Sequence, residues 1–323
     1  MTSFSESLSA SGGKEQAFVS DWEDIFRGWL SGHLSEDRSL PSFWADTLSP
    51  KIVYWPLAAI FLGQTHRQHQ FPPAKLELIY TDLAVKTIQL IRERWEEESG
   101  LLYLYGPKES LLSESDFWPK GSHTRIAGPC FLALTIHALE NLIALGGQLN
   151  KDIQELSQYY ELLIYGVNEH LWNEAYGTYF PFDLNKKEQI ISDSIGGLLF
   201  WIVDVPDQEQ AEAMYRTLAN NFVHPQHYYF PTACVNTDGQ SRKVDLLINY
   251  LLFYGLCRFD FGATAKALRQ HTQYLVEEYG SRALYDSNRH PKQRVPEKTN
   301  EVFPTQLWQV LRQASLQHYS NQE

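Results

Sequence analysis

Through most of the chain apolar residues recur three and four positions apart, the spacing of helices that bury one face. Residues 15–33 carry Phe18, Trp22, Ile25, Phe26, Trp29 and Leu30 on one stripe, which predicts an amphipathic helix. Residues 51–64 are apolar nearly all round, which predicts a buried one. Pro72-Pro73 opens a helix running to about residue 98, because proline suits a first turn whose N–H groups have no partner. Residues 122–145 read as a strongly apolar helix kinked at Pro129. Further helices are predicted over 151–172, 194–203, 206–221, 242–259, 263–279 and 300–317. Asp207 and Glu209 sit in the first turn of the 206–221 helix, where the helix dipole favours acidic residues. The count is about eleven helices with no sheet. Long connections at 106–121, 224–238 and 281–298 alternate with short ones. That alternation predicts an all-α barrel of helical hairpins, closed or incomplete, whose long loops gather at one end. A helical solenoid gives a similar string without requiring its ends to meet. Residues 1–14, rich in Ser and Gly, predict a disordered tail, and 15–320 a single domain.

The stretch from Leu171 to Asp183 organises the rest. Leu171 and Trp172 read as the last turn of a helix, Gly177 as its exit, and Tyr179, Phe180 and Phe182 as an extended aromatic piece ending on Asp183. A weaker copy starts at Arg94-Trp95. Trp95 and Trp172 each stand five residues before a glycine, Gly100 and Gly177. One helix-exit loop used twice predicts a chain built from repeated helix pairs.

Trp172-x-Glu174-x-x-Gly177-x-Tyr179, followed by an aromatic and Asp183, resembles a loop of the (α/α)6-toroid glycosidases. Among them it is similar to the mannosylglycerate hydrolase-like branch of glycoside hydrolase family 63, with trehalases as cousins. The order of features from about 125 to 259 follows that branch. Phe230-Pro231-Thr232 resembles its Leu-Pro-Thr segment, and Asn249-Tyr250-Leu251-Leu252 with Gly255-Leu256 resembles its Asn-Tyr helix. The resemblance implies a toroid fold and hydrolysis of a small glycoside. Departures are also visible. The segment Ser241-Arg242-Lys243-Val244-Asp245 lacks the family's two Trp residues, although Arg242 matches its arginine. The acid loop lacks the family's glycine. Tyr285-Asp286 matches the pair after the catalytic base, but Ala283 stands at the base position.

Net charge of −12 argues against nucleic acid and anionic membranes, which need basic patches. Cys130, Cys234 and Cys257 are scattered, as reduced packed thiols of a cytosolic protein are. No secretory leader is seen, and no apolar run is read as approaching bilayer length. The expectation is a soluble cytoplasmic protein whose partner is a small carbohydrate, with no cofactor; its oligomeric state stays open. Aromatics make up 14% of the chain, and their rings suit both helix packing and the apolar faces of sugars.

Glycoside hydrolysis needs two carboxyl groups, one protonated, one activating water from the opposite side of the sugar. Asp116, next to Phe117-Trp118, is the chosen acid, because desolvation by neighbouring rings raises a carboxyl pKa. Glu301 is the chosen base and Asp245 a further carboxylate, each also placed where a helix start takes acidic residues for its dipole. Arg125 offers a donor fork to a substrate hydroxyl or carboxylate. Trp118, Trp172, Tyr179 and Tyr229 are candidates to stack on sugar, and Arg242 to bind it. His66-x-x-His69 lacks a third ligand nearby and reads as a solvated helix end, so no metal is expected. Keeping the scaffold without the chemistry, as a carbohydrate-binding or structural protein, is the alternative that Ala283 favours. An isomerase would want two facing histidines, for which His123 and His137 are the pair on hand.

Overall fold

The computed structural model describes residues 56, 59–60, 62–63, 73–106, 109, 124–223, 230–231, 243–279 and 284–286. All of them belong to the compact unit Pro50–Glu323; Met1–Ser49, a unit of its own, lies outside the described residues, and with it the expected tail and first helix.

Helices alternate between two kinds. Helix α1 (Pro73–Arg94) buries one stripe, Leu76, Ile79, Leu83, Leu90 and Ile91 among it, and exposes Leu78 and Val85. Helix α2 (Pro129–Gln148) is buried almost throughout. Helix α3 (Gln154–His170) buries only Leu156, Leu163, Gly166 and Val167. A 3-10 helix (Ile195–Ile202) is buried along its whole length. Helix α4 (Gln208–Asn221) buries Ala211, Met214 and Leu218. Helix α5 (Leu246–Arg258) buries residues 248–253 and Leu256, and helix α6 (Gly262–Tyr279) buries Thr264, Ala265, Leu268 and Thr272. Inner elements α2, the 3-10 helix and α5 therefore take turns with outer elements α1, α3, α4 and α6. The 3-10 helix packs between α2 and α5. Inner helices pass to outer ones through residues 149–153, 203–207 and 259–261, whereas outer ones return through the long connections.

Several helix boundaries differ from the expectation; the helix read as running to about residue 98 stops at Arg94, where a strand begins. The helix read over 122–145 has no kink at Pro129; it starts there, with Gly128 as N-cap. Proline at the first position gives up an N–H that had no partner. The helix read over 242–259 is preceded by a strand, and the Asp245 side chain caps α5 by accepting from Ile248 N at 3.1 Å. The helix ending at Trp172 stops at His170, and Trp172 is in a strand. Asp207 is the N-cap of α4, in a reciprocal box in which it accepts from Gln210 N at 2.8 Å and Gln210 Oε1 accepts from Asp207 N at 3.0 Å.

Where no sheet was expected, short strands punctuate the long connections. They are β1 (Trp95–Glu96), β2 (Leu101–Leu102), β3 (Ile126–Ala127), β4 (Trp172–Asn173), β5 (Thr178–Tyr179), β6 (Phe182–Asp183), β7 (Glu188–Gln189), β8 (Lys243–Asp245) and β9 (Leu284–Asp286). The repeated exit motif is real geometry. Trp95 pairs with Leu102 as Trp172 pairs with Tyr179. Gly100 and Gly177 both take a left-handed φ, +66° and +59°, that other residues resist.

Helix α2, with 20 residues, is long and apolar enough to cross a membrane, which corrects the reading that no run approaches that length. Its residues are spent instead on the core, against α1, α3 and the 3-10 helix.

Candidate functional site

The long connections are laced together where the inner helices begin. Strand β3, just before α2, pairs antiparallel with β6, just before the 3-10 helix, through Ile126 with Asp183 and Ala127 with Phe182. Strand β6 continues into the β6–β7 hairpin, and Leu104 bridges to Ile126 on the other side. Strand β8, just before α5, pairs with β9, just after α6, with Val244 opposite Tyr285. Connections far apart in sequence thus share one end of the inner layer.

Arg125 lies at the head of β3. Its guanidinium carbon sits 5.2 Å from the centre of the Tyr103 ring, and Nε donates to Asn185 Oδ1 at 3.5 Å. Nη1 is 4.0 Å from Glu96 Oε1, and the side chain is 38% exposed. Tyr103 continues the stack: its hydroxyl is 3.2 Å from that of Tyr105, and their rings meet edge to face at 5.1 Å. The neighbouring Tyr105 hydroxyl and burial raise the pKa of Tyr103. Beyond Tyr105, Arg94 sits 4.6 Å over the ring and is held by Glu109 at 2.9 and 3.3 Å. Glu109 also accepts from Tyr105 N at 2.7 Å. Along this wall two adjacent tyrosines are therefore flanked by two arginines, one held by Glu109 and the other 38% exposed.

Asp183 is wholly buried. Its Oδ1 accepts from Asn185 N at 2.9 Å and Lys186 N at 3.1 Å, which forms the β6–β7 turn; Oδ2 has no hydrogen bond among the described residues. A second tie joins two of the sequence motifs. Asn249, 1% exposed, accepts from Phe230 N and donates to Phe230 O, both at 2.8 Å, and also donates to Asp245 O. The side-chain amide acts as a strand partner for a backbone unit that has no other ladder among the described residues.

The sequence-predicted residues are only partly brought together. Arg125 stands on the wall just described. Asp245 heads α5 as its cap. Trp172 is half-buried, its ring 4.9 Å from Tyr179. Tyr179 is 1% exposed; its ring is enclosed by Trp172 and Phe200, and its one hydroxyl proton is shared between Asn168 Oδ1 at 3.3 Å and Gln210 Oε1 at 3.4 Å. An enclosed ring offers no face to a sugar, so this tyrosine is a pillar of the loop. Burial, the dominant cause, raises its pKa well above the tyrosine range, helped by Asp207. Asp116, Glu301, Trp118, Tyr229 and Arg242 lie outside the described residues, as do His66, His69, His123, Cys234 and Ala283. Among the described residues no group of three or more His, Cys, Asp or Glu could hold a metal. His137 is buried and bonded to Glu140, 2.9 Å away, in a charged network with Arg258. Cys130 and Cys257 carry no disulfide. Asn185, Tyr103 and Glu96 escaped the sequence reading as site residues; Asp183-x-Asn185 is a turn signal from which the first could have been found.

The mannosylglycerate hydrolase MGH1-like glycoside hydrolase domain model matches residues 22–238. The chain belongs to that family. No curated protein matches the sequence. Its structure is similar to the family 63 mannosylglycerate hydrolase from Thermus thermophilus, solved with glucose, at TM-score 0.70 and 17% identity over 82% of this chain and 75% of that one. It is also similar to neutral trehalase Nth1 from Saccharomyces cerevisiae, at TM-score 0.59 and 11% identity over 83% and 62% of the two chains. Cellobiose 2-epimerase from Bacillus thermoamylovorans follows at 0.55 and 12% over 82% and 71%. Identities this low speak for the fold, which is the all-α (α/α)6 toroid of helical hairpins.

Proposed function

We propose that this MGH1-like protein hydrolyses a small glycoside by two-carboxylate, inverting chemistry. The observation that carries the reading is the family membership together with the lacing of long connections at the head of the inner helices. In this reading Asp116 is the general acid, held protonated beside Trp118, and gives its proton to the leaving oxygen. Glu301 takes a proton from a water that attacks the anomeric carbon from the opposite side, the two carboxyls standing about 6.5–9.5 Å apart. Arg125 holds an oxygen of the substrate with its donor fork, and Arg242, Asp245, Trp118, Trp172 and Tyr229 line the remaining surface. No cofactor enters this chemistry, and a cytoplasmic location suits it.

The second reading, a carbohydrate-binding protein without turnover, is favoured by Ala283 at the position where the family carries its base. Incubation with mannosylglycerate, trehalose and aryl glycosides separates the two. Release of sugar by the wild type, reduced roughly 10²–10⁴-fold in Asp116→Asn, supports the hydrolase. Equal turnover in both removes Asp116 from the acid role. Saturable binding with no sugar released supports the second reading.

A further inference from the structure

We propose that Asn185, on the β6–β7 turn, is the positioning residue that sets the guanidinium of Arg125 for ligand; the proposal rests on the reading of Arg125 as a ligand-facing group. The two residues are 60 apart in sequence and meet because β3 pairs with β6. Two bonds join the turn to this arginine. Leu184 N donates to the Arg125 carbonyl at 3.0 Å, which fixes the backbone, and the exposed Asn185 Oδ1 accepts from Arg125 Nε at 3.5 Å, a long bond that orients the side chain. Behind them Asp183 Oδ1 takes the backbone N–H groups of Asn185 and Lys186, so the turn that presents the amide is itself built from a buried carboxylate.

A guanidinium has five donors in one plane. The long bond from Nε to Asn185 biases the rotation of that plane, while the Tyr103 ring at 5.2 Å supports its face. Glu96 Oε1 lies on the Nη1 side at 4.0 Å, too far for a hydrogen bond but close enough to steer a positive charge. The guanidinium also acts on the Tyr103 hydroxyl, whose pKa it draws down against the raising effect of Tyr105, and 38% of the Arg125 side chain stays exposed to an incoming oxygen. Arg94, the other arginine of this wall, shows the contrast: its Nη groups are both taken by Glu109. An arginine stacked on a ring, bonded at Nε and part-exposed is arranged to receive a ligand with less further loss of side-chain entropy than a free one.

The experiment has two arms. The first needs no ligand: the heteronuclear NOE of the Arg125 Nε–H is measured in ¹⁵N-arginine-labelled protein, with Arg125→Lys used to assign the signal. The expectation is an ordered signal in the wild type, a mobile one in Asn185→Ala, and order regained in Asn185→Asp, which keeps an acceptor oxygen in place. An unchanged signal in Asn185→Ala overturns the proposal. The second arm is calorimetric binding of mannosylglycerate. A roughly tenfold rise in Kd for Asn185→Ala, and a larger one for Arg125→Ala, supports it; tenfold corresponds to the loss of about one charge-assisted hydrogen bond. A mobile Arg125 signal with affinity unchanged in Arg125→Ala instead overturns the reading of Arg125 beneath the proposal, as does absence of binding by the wild type.

Discussion

Gly166 on the outer helix α3 receives the tip of the β1–β2 hairpin at Gly100. A Cβ on Gly166 would stand 2.9 Å from the Gly100 carbonyl oxygen and 2.6 Å from that of Ser99. The second hairpin repeats the joint one helix on, where Gly177 lies against Ala213 of α4 and Thr217 Oγ1 donates to the Tyr176 carbonyl at 2.7 Å. Each exit hairpin thus docks on the next outer helix at a small residue. Gly166→Ala forces backbone against backbone and is expected to cost about 1–3 kcal/mol in urea denaturation. Gly147→Ala, on α2 with nothing within 4 Å of the added carbon, is the control, expected to be neutral or stabilising by about 0.5–1 kcal/mol.

Asn249 is the lone partner seen for the Phe230 backbone among the described residues. Asn249→Ala leaves a buried N–H and a buried carbonyl unpaired and is expected to cost about 2–3 kcal/mol. Asn249→Asp keeps the acceptor but sets a carboxylate against the Phe230 carbonyl, and is expected to be at least as damaging near neutral pH. Thermal unfolding of the two variants checks this.

Tyr179 couples stability to alkaline pH. Its folded pKa is raised by burial, so the folded state retains a proton that the unfolded chain releases. The stabilisation is fully present below the unfolded value of about 10 and declines as pH rises above it. Tyr179→Phe is expected to flatten the fall in stability above about pH 10, while costing about 1 kcal/mol at pH 7 for the lost bonds to Asn168 and Gln210. A denaturation series from pH 7 to the alkaline limb reads both effects.

Glu140 joins four elements away from the laced end. It meets His137 Nδ1 at 2.9 Å, the Tyr160 hydroxyl at 3.2 Å, Asp204 N at 3.1 Å and Arg258 Nη1 at 3.5 Å. Burial, followed by Glu140, raises the pKa of Tyr160. Burial works against the charge on Arg258, but Asp204 and Glu140 more than offset it and its pKa is raised. Glu140→Ala leaves the guanidinium with the exposed Asp204 as its one carboxylate partner among the described residues, besides the Ile202 carbonyl. The expected cost is about 2–3 kcal/mol, less than for a wholly buried pair because water screens part of the interaction. Chemical denaturation measures it, and Arg258→Lys, which keeps the charge but loses the fork, is expected to fall between.

By itself the sequence determined the described helices, to within a few residues at their ends, and the helix exits that recur at Trp95 and Trp172. Helical periodicity and a glycine five residues past each Trp are local signals, set by backbone sterics and by one neighbour's reach. It also carried the family, through the order of its motifs. It did not reveal that the 3-10 helix is packed against the Tyr179 carbonyl, where a Cβ on Gly197 would come within 2.0 Å, nor that Phe230 and Asn249 complete each other. Nor could it choose which aromatic is pillar and which is wall: Tyr179 and Tyr103 are alike in sequence context, and only the helices packed around the former decide. The pairing of β3 with β6 brought Asn185 to Arg125 across 60 residues. Such contacts depend on which faces of separate helices are buried together, and that is fixed by the packing of the whole ring and not by any window of the chain.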